Sequence, residues 1–343
     1  MNPVEAQLEQ ALNASFGQQD RKHISVEPVA ELSNINHVFR CTSPERTYYL
    51  KLARADTKRL GLHLPAERIF SEARGLQLAK AHFAGRTVVP EVVKVDQKTF
   101  SILMSDVGSG RSNLSRDIGH LHREDGLPTP LADLAAAIGR FHRGTAGQTT
   151  TVSVDVDTQV REFAYRHLLS PGITNLMGHS AHLLLREMAE TKQCLIHSDL
   201  WAKNVLLAQS GPPALLDFEG TMAGDPAFDL STLIAVVTLP VFQFGLAAAP
   251  WRKAMDSMLF AYEAAVADPA WYREISARAF RYLSVMLAAR SCGPFPYPMS
   301  DEGRSACDSL AEALFRGQVQ AVDQLEASLT RYSSMEPQLP VHS

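Results

Sequence analysis

Cysteine is scarce in this chain: there are four, Cys41, Cys194, Cys292 and Cys307, and no two form a C-x-x-C pair. That argues against a zinc-ribbon or disulfide-stapled fold. It leaves buried free thiols in a reducing compartment, with the cytoplasm as the expected location. Excess positive charge is absent too: 33 Lys and Arg against 37 Asp and Glu leave a net charge of −4. A general nucleic-acid binder needs a basic surface to displace counterions, so no nucleic-acid partner is expected, though a local basic pocket for an anionic ligand stays open. No G-x-S-x-G string occurs, which removes the serine-hydrolase elbow. The N-terminus "MNPVEAQLEQALNASFG" lacks a basic start and an apolar centre, so it does not read as a secretory leader. A run without charge, Leu230 to Trp251, is interrupted by Pro240, Gln243, Gly245 and Pro250. It reads as a buried helix-turn-helix, and no membrane partner is expected.

What is present is enough apolar material for a sizeable core: 45% of 343 residues are hydrophobic. Val4, Leu8, Ala11 and Leu12 mark one face of a first helix, with Gly17 as its stop. Polarity then alternates in "HISVEPVAEL", "HVFRCTS" and "RTYYLKLA", as in an antiparallel meander, with "SPER" as a tight turn. Ile69, Ala73, Leu76 and Ala79 recur at helical spacing, and "VPEVVKVD" and "TFSILMSD" follow as strands. The polar stretch Val107–Pro130 reads as a connector carrying at most a short helix. Beyond it the pattern is helical, interrupted by the short apolar runs "CLIH", "NVLLA" and "ALLDFE". The expected class is α+β with two lobes: a small β-rich lobe over 1–104, a hinge and connector over 105–130, and a large, mainly helical lobe over 131–343.

The chemistry concentrates in "CLIHSDLWAKNVLL" and "ALLDFEG". "NVLLA" and "ALLDF", separated by "QSGPP", predict a hairpin whose outer ends meet, which sets Asn204 beside Asp217 with Asp199 just upstream. A carboxylate and an amide oxygen suit Mg²⁺, a hard ion that shares phosphate oxygens, and do not suit zinc. On these residues alone, an ordinary surface hairpin with polar ends remains open. The kinase phosphoryl-transfer pattern H-R-D-x-x-x-x-N and D-F-G assigns a base role to the first Asp and metal roles to the Asn and second Asp. By that pattern Asp199 is the catalytic base, and Asn204 and Asp217 are the metal ligands. Asp225, followed by proline, is placed to cap the next helix.

Three strings in order, "HSDLWAKN", "LDFEG" and "GDPAFDLS", resemble the signature of the aminoglycoside phosphotransferase and choline kinase-like family, small-molecule relatives of the protein kinases. The resemblance implies a protein-kinase-like fold and transfer of the ATP γ-phosphoryl, with Mg²⁺, to a hydroxyl of a small molecule: a sugar-like, amino-alcohol or aminoglycoside-type acceptor. It implies that Lys51, in "YYLKLAR", binds the α- and β-phosphates and pairs with Glu72 or, second, Glu67. It places Ser33, Asn34 and Asn36 at the turn over the phosphates, Met104 near adenine, and Ser105 to Val107 at its edge. His197 is expected to brace the loop and Asp229 to anchor it. Ser198 replaces the family's glycine, and little distortion is expected if the backbone there is not left-handed. Phe242, Phe244, Trp251, Trp271 and Glu263 are candidate acceptor-pocket walls. An inactive pseudokinase is disfavoured by the intact set Lys51, Asp199, Asn204 and Asp217. A protein kinase is disfavoured because the glycine loop and the A-P-E string are missing.

Overall fold

Helix α1 (Pro3–Ser15) forms where its apolar stripe was expected, followed by the short α2 (Gln18–Arg21). This computed structural model describes residues 3–29, 36–54, 58–59, 62–166, 168, 170–178 and 180–333. The meander is present as β1 (Ser25–Pro28), β2 (Asn36–Thr42) and β3 (Thr47–Ala53). The turn between β2 and β3 closes with Ser43 and Arg46 bonded to each other through backbone and Ser43 Oγ. A two-strand ribbon of β4 (Lys58–Arg59) and β5 (Leu62–His63) leads into α3 (Arg68–His82), then β6 (Val92–Asp96) and β7 (Ser101–Ser105). The sheet order is β1-β2-β3-β7-β6, antiparallel throughout.

Strand alternation decides which side chains reach the site. Leu50 and Leu52 of β3 pack with Leu103, Phe39, Cys41 and the α1 residues Ala11 and Leu12 on one face. Lys51 and Ala53 therefore point to the other, where Ile102 and Met104 join Ile69, Ala73 and Leu76 of α3 in the main core. One lysine is thereby delivered to the side of the sheet that faces the rest of the protein.

The stretch expected to be a connector is more ordered than its composition suggests. It holds β8 (Arg111–Asn113) and the ten-residue α4 (Leu114–Arg123). Strand β8 is hydrogen-bonded to β10, Leu206 opposite Asn113, so this segment is built into the C-terminal half. Its polar "RSN" has no strand signature of its own; it pairs because β10 offers an edge.

Helices α5 (Pro128–Gly144), α6 (Val154–Arg166), α7 (Pro171–Met177) and α8 (Ala181–Glu190) precede the short strands β9 (Cys194–Ile196), β10 (Val205–Ala208), β11 (Ala214–Leu215) and β12 (Met222–Gly224). Strand β9 pairs with β12, and β10 lies between β11 and β8. Then come α9 (Pro226–Phe244), α10 (Ala248–Val266), α11 (Pro269–Ser291), α12 (Asp301–Phe315) and α13 (Val322–Ser333). Helix α9 is long and apolar enough to cross a membrane, but 89% of its apolar window is buried inside the protein. Asp225 caps it through the Ala227 N–H at 3.0 Å, and Gly245 ends it in a left-handed turn.

Candidate active site

The loop after β9 is held from beneath by Asp229 of α9, which is fully buried. Its Oδ2 accepts from the His197 N–H at 2.7 Å and its Oδ1 from the Ser198 N–H at 2.9 Å. His142 Nε2 adds a third bond to Oδ2 at 3.0 Å, with Tyr262 Oη at 2.7 Å from its other nitrogen. His197 itself spans the two strings of the motif. Its Nε2 lies 3.0 Å from the Leu216 carbonyl, and its Nδ1 accepts from the Asp199 N–H at 3.2 Å. Burial holds its pKa below the usual histidine value, with nearby carboxylates offsetting only part of that. Expected brace and anchor are thus both in place.

Ser198 corrects one expectation. Its φ is +66°, in the left-handed region, so the glycine usual at this position has a steric reason. Serine holds the conformation because its N–H is fixed by Asp229 and its Oγ donates to the Gly220 carbonyl at 2.8 Å.

The predicted hairpin is formed: Val205 is opposite Leu215, and the Leu216 N–H donates to the Asn204 carbonyl at 2.9 Å. Asn204, in a 3-10 turn (Ala202–Asn204), donates its Nδ2 to the Asp199 carbonyl and to Asp199 Oδ2, both at 2.8 Å. Lys203 Nζ also sits 2.8 Å from Asp199 Oδ2. One carboxylate oxygen of Asp199 is therefore fixed twice, while Oδ1 has no partner among the described residues. Asp217 also has a left-handed backbone, φ +65°, just before the 3-10 turn Phe218–Gly220. Its Oδ1 lies 2.7 Å from Lys51 Nζ. Asn204 Oδ1 and Asp217 Oδ2 are without partners among the described residues. Two hard oxygen donors left open on neighbouring hairpin ends fit a magnesium ion in chemistry and number, since Mg²⁺ takes few protein ligands and keeps the rest of its shell for water and phosphate.

Lys51 is buried, 5% exposed, and Glu72 of α3 2% exposed. Nζ lies 2.8 Å from Glu72 Oε2 and 3.4 Å from Glu219 Oε2, besides Asp217. Glu67, just ahead of α3, is exposed, so Glu72 is the helix partner. Oxygens of Glu72, Asp217 and Glu219 lie within 4.8 Å of one another, an arrangement that requires cations between them. Burial disfavours the Lys51 ammonium, but Asp217, Glu219 and Glu72 outweigh it and hold its pKa well above the lysine range. Burial pushes Glu72 up to about 7 against the pull of Lys51. Asp217, likewise penalised by burial, is held below the usual carboxylate range by Lys51 and Lys203.

Asn36 opens β2 beside this cluster. Its side chain is buried between Glu219, which accepts from Nδ2, and Arg68, which donates to Oδ1. In this arrangement it braces the acidic cluster instead of presenting its amide toward a phosphate. Ser33 and Asn34 lie outside the described residues. Met104 is buried at the end of β7. The Ser105 N–H is taken by the Glu91 carbonyl at 2.9 Å, and the Val107 carbonyl accepts from Arg111 at 2.9 Å. The Val107 N–H has no partner among the described residues.

Of the suggested pocket walls, Trp251 and Phe242 are core residues, Trp271 bonds Gln193, and Glu263 is exposed on α10. Phe244 is 40% exposed and lies against Gly119 of α4. The aromatics beside the loop are others. Trp201, two residues past Asp199, carries the Arg290 guanidinium 3.9 Å above its ring, and Tyr297 lies 5.2 Å from the same cation. "DLW" placed Trp201 at the motif, but nothing in the sequence joined it to residues near position 290.

Comparison with known proteins gives the family of the chain. Residues 26–275 match the family model described as "Phosphotransferase enzyme family". Among solved structures, the microcompartment-associated aminopropanol kinase aligns at a TM-score of 0.51 and 17% identity, covering 96% of this chain and 99% of that one. The aminoglycoside phosphotransferase APH(4)-Ia aligns at 0.49 and 14%, covering 92% and 99%. The macrolide 2'-phosphotransferase MphH from Brachybacterium faecium aligns at 0.47 and 16%, covering 92% and 98%. Comparison with curated proteins gives no match.

Proposed function

The chain belongs to the phosphotransferase enzyme family, and from that premise we propose that it moves the γ-phosphoryl group of ATP to a hydroxyl of a small molecule. The observation that carries this reading is the convergence of Lys51 from the sheet with Asp199, Asn204 and Asp217 from the loop and hairpin. Lys51, held by Glu72, is positioned to bind the non-transferred phosphates, and the Val107 N–H to meet the adenine edge. Mg²⁺ would be held by Asn204 Oδ1 and Asp217 Oδ2, and when bound it spreads the negative charge of the phosphates. Asp199 takes the acceptor proton on Oδ1. Its other oxygen is clamped by Lys203 and Asn204, which fixes the direction of Oδ1 without using it. Transfer of this kind has a loose transition state, so orientation and fixed charge do most of the work. A cytoplasmic location belongs to the same proposal, and free, mostly buried cysteines are in keeping with it.

The test is ADP release across a panel of hydroxylated metabolites and antibiotics, with Asp199→Asn alongside the parent. The expected result is turnover on at least one acceptor, lowered by about 10²- to 10⁴-fold in Asp199→Asn with ADP affinity retained. Nucleotide binding without transfer to any acceptor would instead favour a pseudokinase. Transfer to a generic protein substrate would favour a protein kinase.

A further inference from the structure

We propose that the acceptor carries an oxyanion, a carboxylate or phosphate, that is recognised by Arg290 beside the hydroxyl presented to Asp199. This rests on the phosphotransferase reading and adds the class of substrate to it.

Arg290 lies at the C-terminal end of α11, next to the last residue of that helix. Its guanidinium is stacked over Trp201 at 3.9 Å and within 5.2 Å of the Tyr297 ring, and Nη1 reaches the Phe295 carbonyl at 3.2 Å. Its Nε is buried without a hydrogen-bond partner. No carboxylate pairs with it among the described residues. Two other arginines held inside the structure, Arg278 and Arg68, have acids, Asp225 at 2.7 Å and Glu219 at 3.8 Å, while buried Arg161 donates to the Ala223 carbonyl and is not set beside the catalytic loop. The cation therefore sits partly desolvated, flanked by aromatics that fix its plane, with no anion to answer it. Burial lowers its pKa, and only Tyr297 and Asp199 act against that. Asp199 is the one acid felt by Arg290 and Tyr297, and Lys203 already neutralises it.

Lys203 is matched by Asp199 and Asp217, whereas Arg290 has no ion-pair partner among the described residues. A cationic group on the acceptor would meet repulsion from Arg290 there. A guanidinium with a fixed plane and open donors is suited to a planar or tetrahedral oxyanion, to which it can present two N–H groups.

Four probes on one six-carbon skeleton test this: glucose, gluconate, glucose 6-phosphate and glucosamine. The same design repeats on three carbons with glycerol, glycerate, glycerol 3-phosphate and 3-amino-1,2-propanediol. Binding to the ADP-magnesium-loaded protein is read by calorimetry and transfer by ADP release. The expected result is an anionic member favoured over its neutral parent by about tenfold or more, with the ammonium member weakest. The carboxylate and phosphate arms separate the two sources of the charge. Arg290→Met, which keeps the stem over Trp201, should erase the discrimination. Arg290→Lys should restore part of it, and this rescue distinguishes recognition from bracing of the Phe295 turn. Equal or better use of the neutral or ammonium members overturns the proposal. So does discrimination that survives in Arg290→Met, or an ADP-loaded protein that binds no anionic member. Failure of the parent to bind ADP would instead sink the phosphotransferase reading.

Discussion

At the scale of single residues, Ser198 and Asp217 set the cost of the site. Both adopt left-handed backbones, which for residues with a side chain costs about 1–2 kcal/mol. Ser198 recovers part of this through its Oγ bond to Gly220. Ser198→Gly removes the strain and the bond together, so its stability should stay within about 1 kcal/mol of the parent. Ser198→Ala keeps the strain and loses the bond, and should fall about 1 kcal/mol or more below the glycine variant. Urea midpoints at equal m-values decide the order; alanine equal to glycine would mean that the left-handed turn stores no strain. Asp217 answers to a different measurement. Asp217→Ala leaves Lys51 with Glu72 and Glu219 but removes a magnesium donor, so half-activation should need about tenfold more Mg²⁺. A magnesium titration unchanged in that variant would place the ion elsewhere.

Helix α3 couples the two halves at the scale of elements. It carries Glu72 and Arg68 toward the turn that carries Asp217 and Glu219, and Gly75 is where helix and turn meet. A Cβ there would lie 2.6 Å from Thr221 Oγ1 and 3.1 Å from Phe218 Cδ1. Gly75→Ala should therefore push α3 off the turn, lower stability by about 1–3 kcal/mol as overpacking does, and raise KM for ATP. A melting temperature and KM both unchanged would show that the turn yields freely. Much at this scale was legible in the sequence. Strands β2, β3, β6 and β7 and helix α3 followed from alternation and helical spacing, and the β10–β11 hairpin from two apolar runs around "QSGPP". What escaped depends on partners far along the chain. Strand β8 exists because β10 offers an edge, and the left-handed φ of Ser198 is imposed by Asp229, thirty-one positions away. The Trp201–Arg290–Tyr297 stack joins the catalytic loop to the end of α11, a proximity no local pattern encodes.

For the whole molecule, stability against pH tests whether the motif is built around neutral histidines. His197 accepts the Asp199 N–H at Nδ1 and faces the Leu216 carbonyl with Nε2, so a second proton would set two N–H groups against each other. His122 is buried with Nε2 on the Ala247 carbonyl, and both it and His37 are depressed by burial as well. The unfolded chain protonates each near 6.5, the folded chain only at lower pH. For the buried His197 and His122, stability is therefore fully present above that pH and lost as pH falls through it, by at most about 1.4 kcal/mol per pH unit each. The more exposed His37 contributes less because solvent screens it. Glu72 opposes this. Raised by burial to about 7 from 4.5, it holds a proton in the folded state that the unfolded state releases, so between those values its contribution falls as pH rises. Asp217, held low, acts only below its ordinary value of 3.8 and lies outside the window. Between pH 5 and 6.5 the histidines and Glu72 therefore act in opposite senses. Glu72→Gln removes the opposing proton and should steepen the rise of stability with pH there. His197→Gln, which can still donate to Leu216, should flatten it by up to about 1.4 kcal/mol per unit. Urea unfolding at half-unit pH steps reads both slopes; a slope unchanged in His197→Gln would mean that His197 takes up its proton inside the fold, and with it the brace between the Asp199 amide and Leu216 would have to be redrawn.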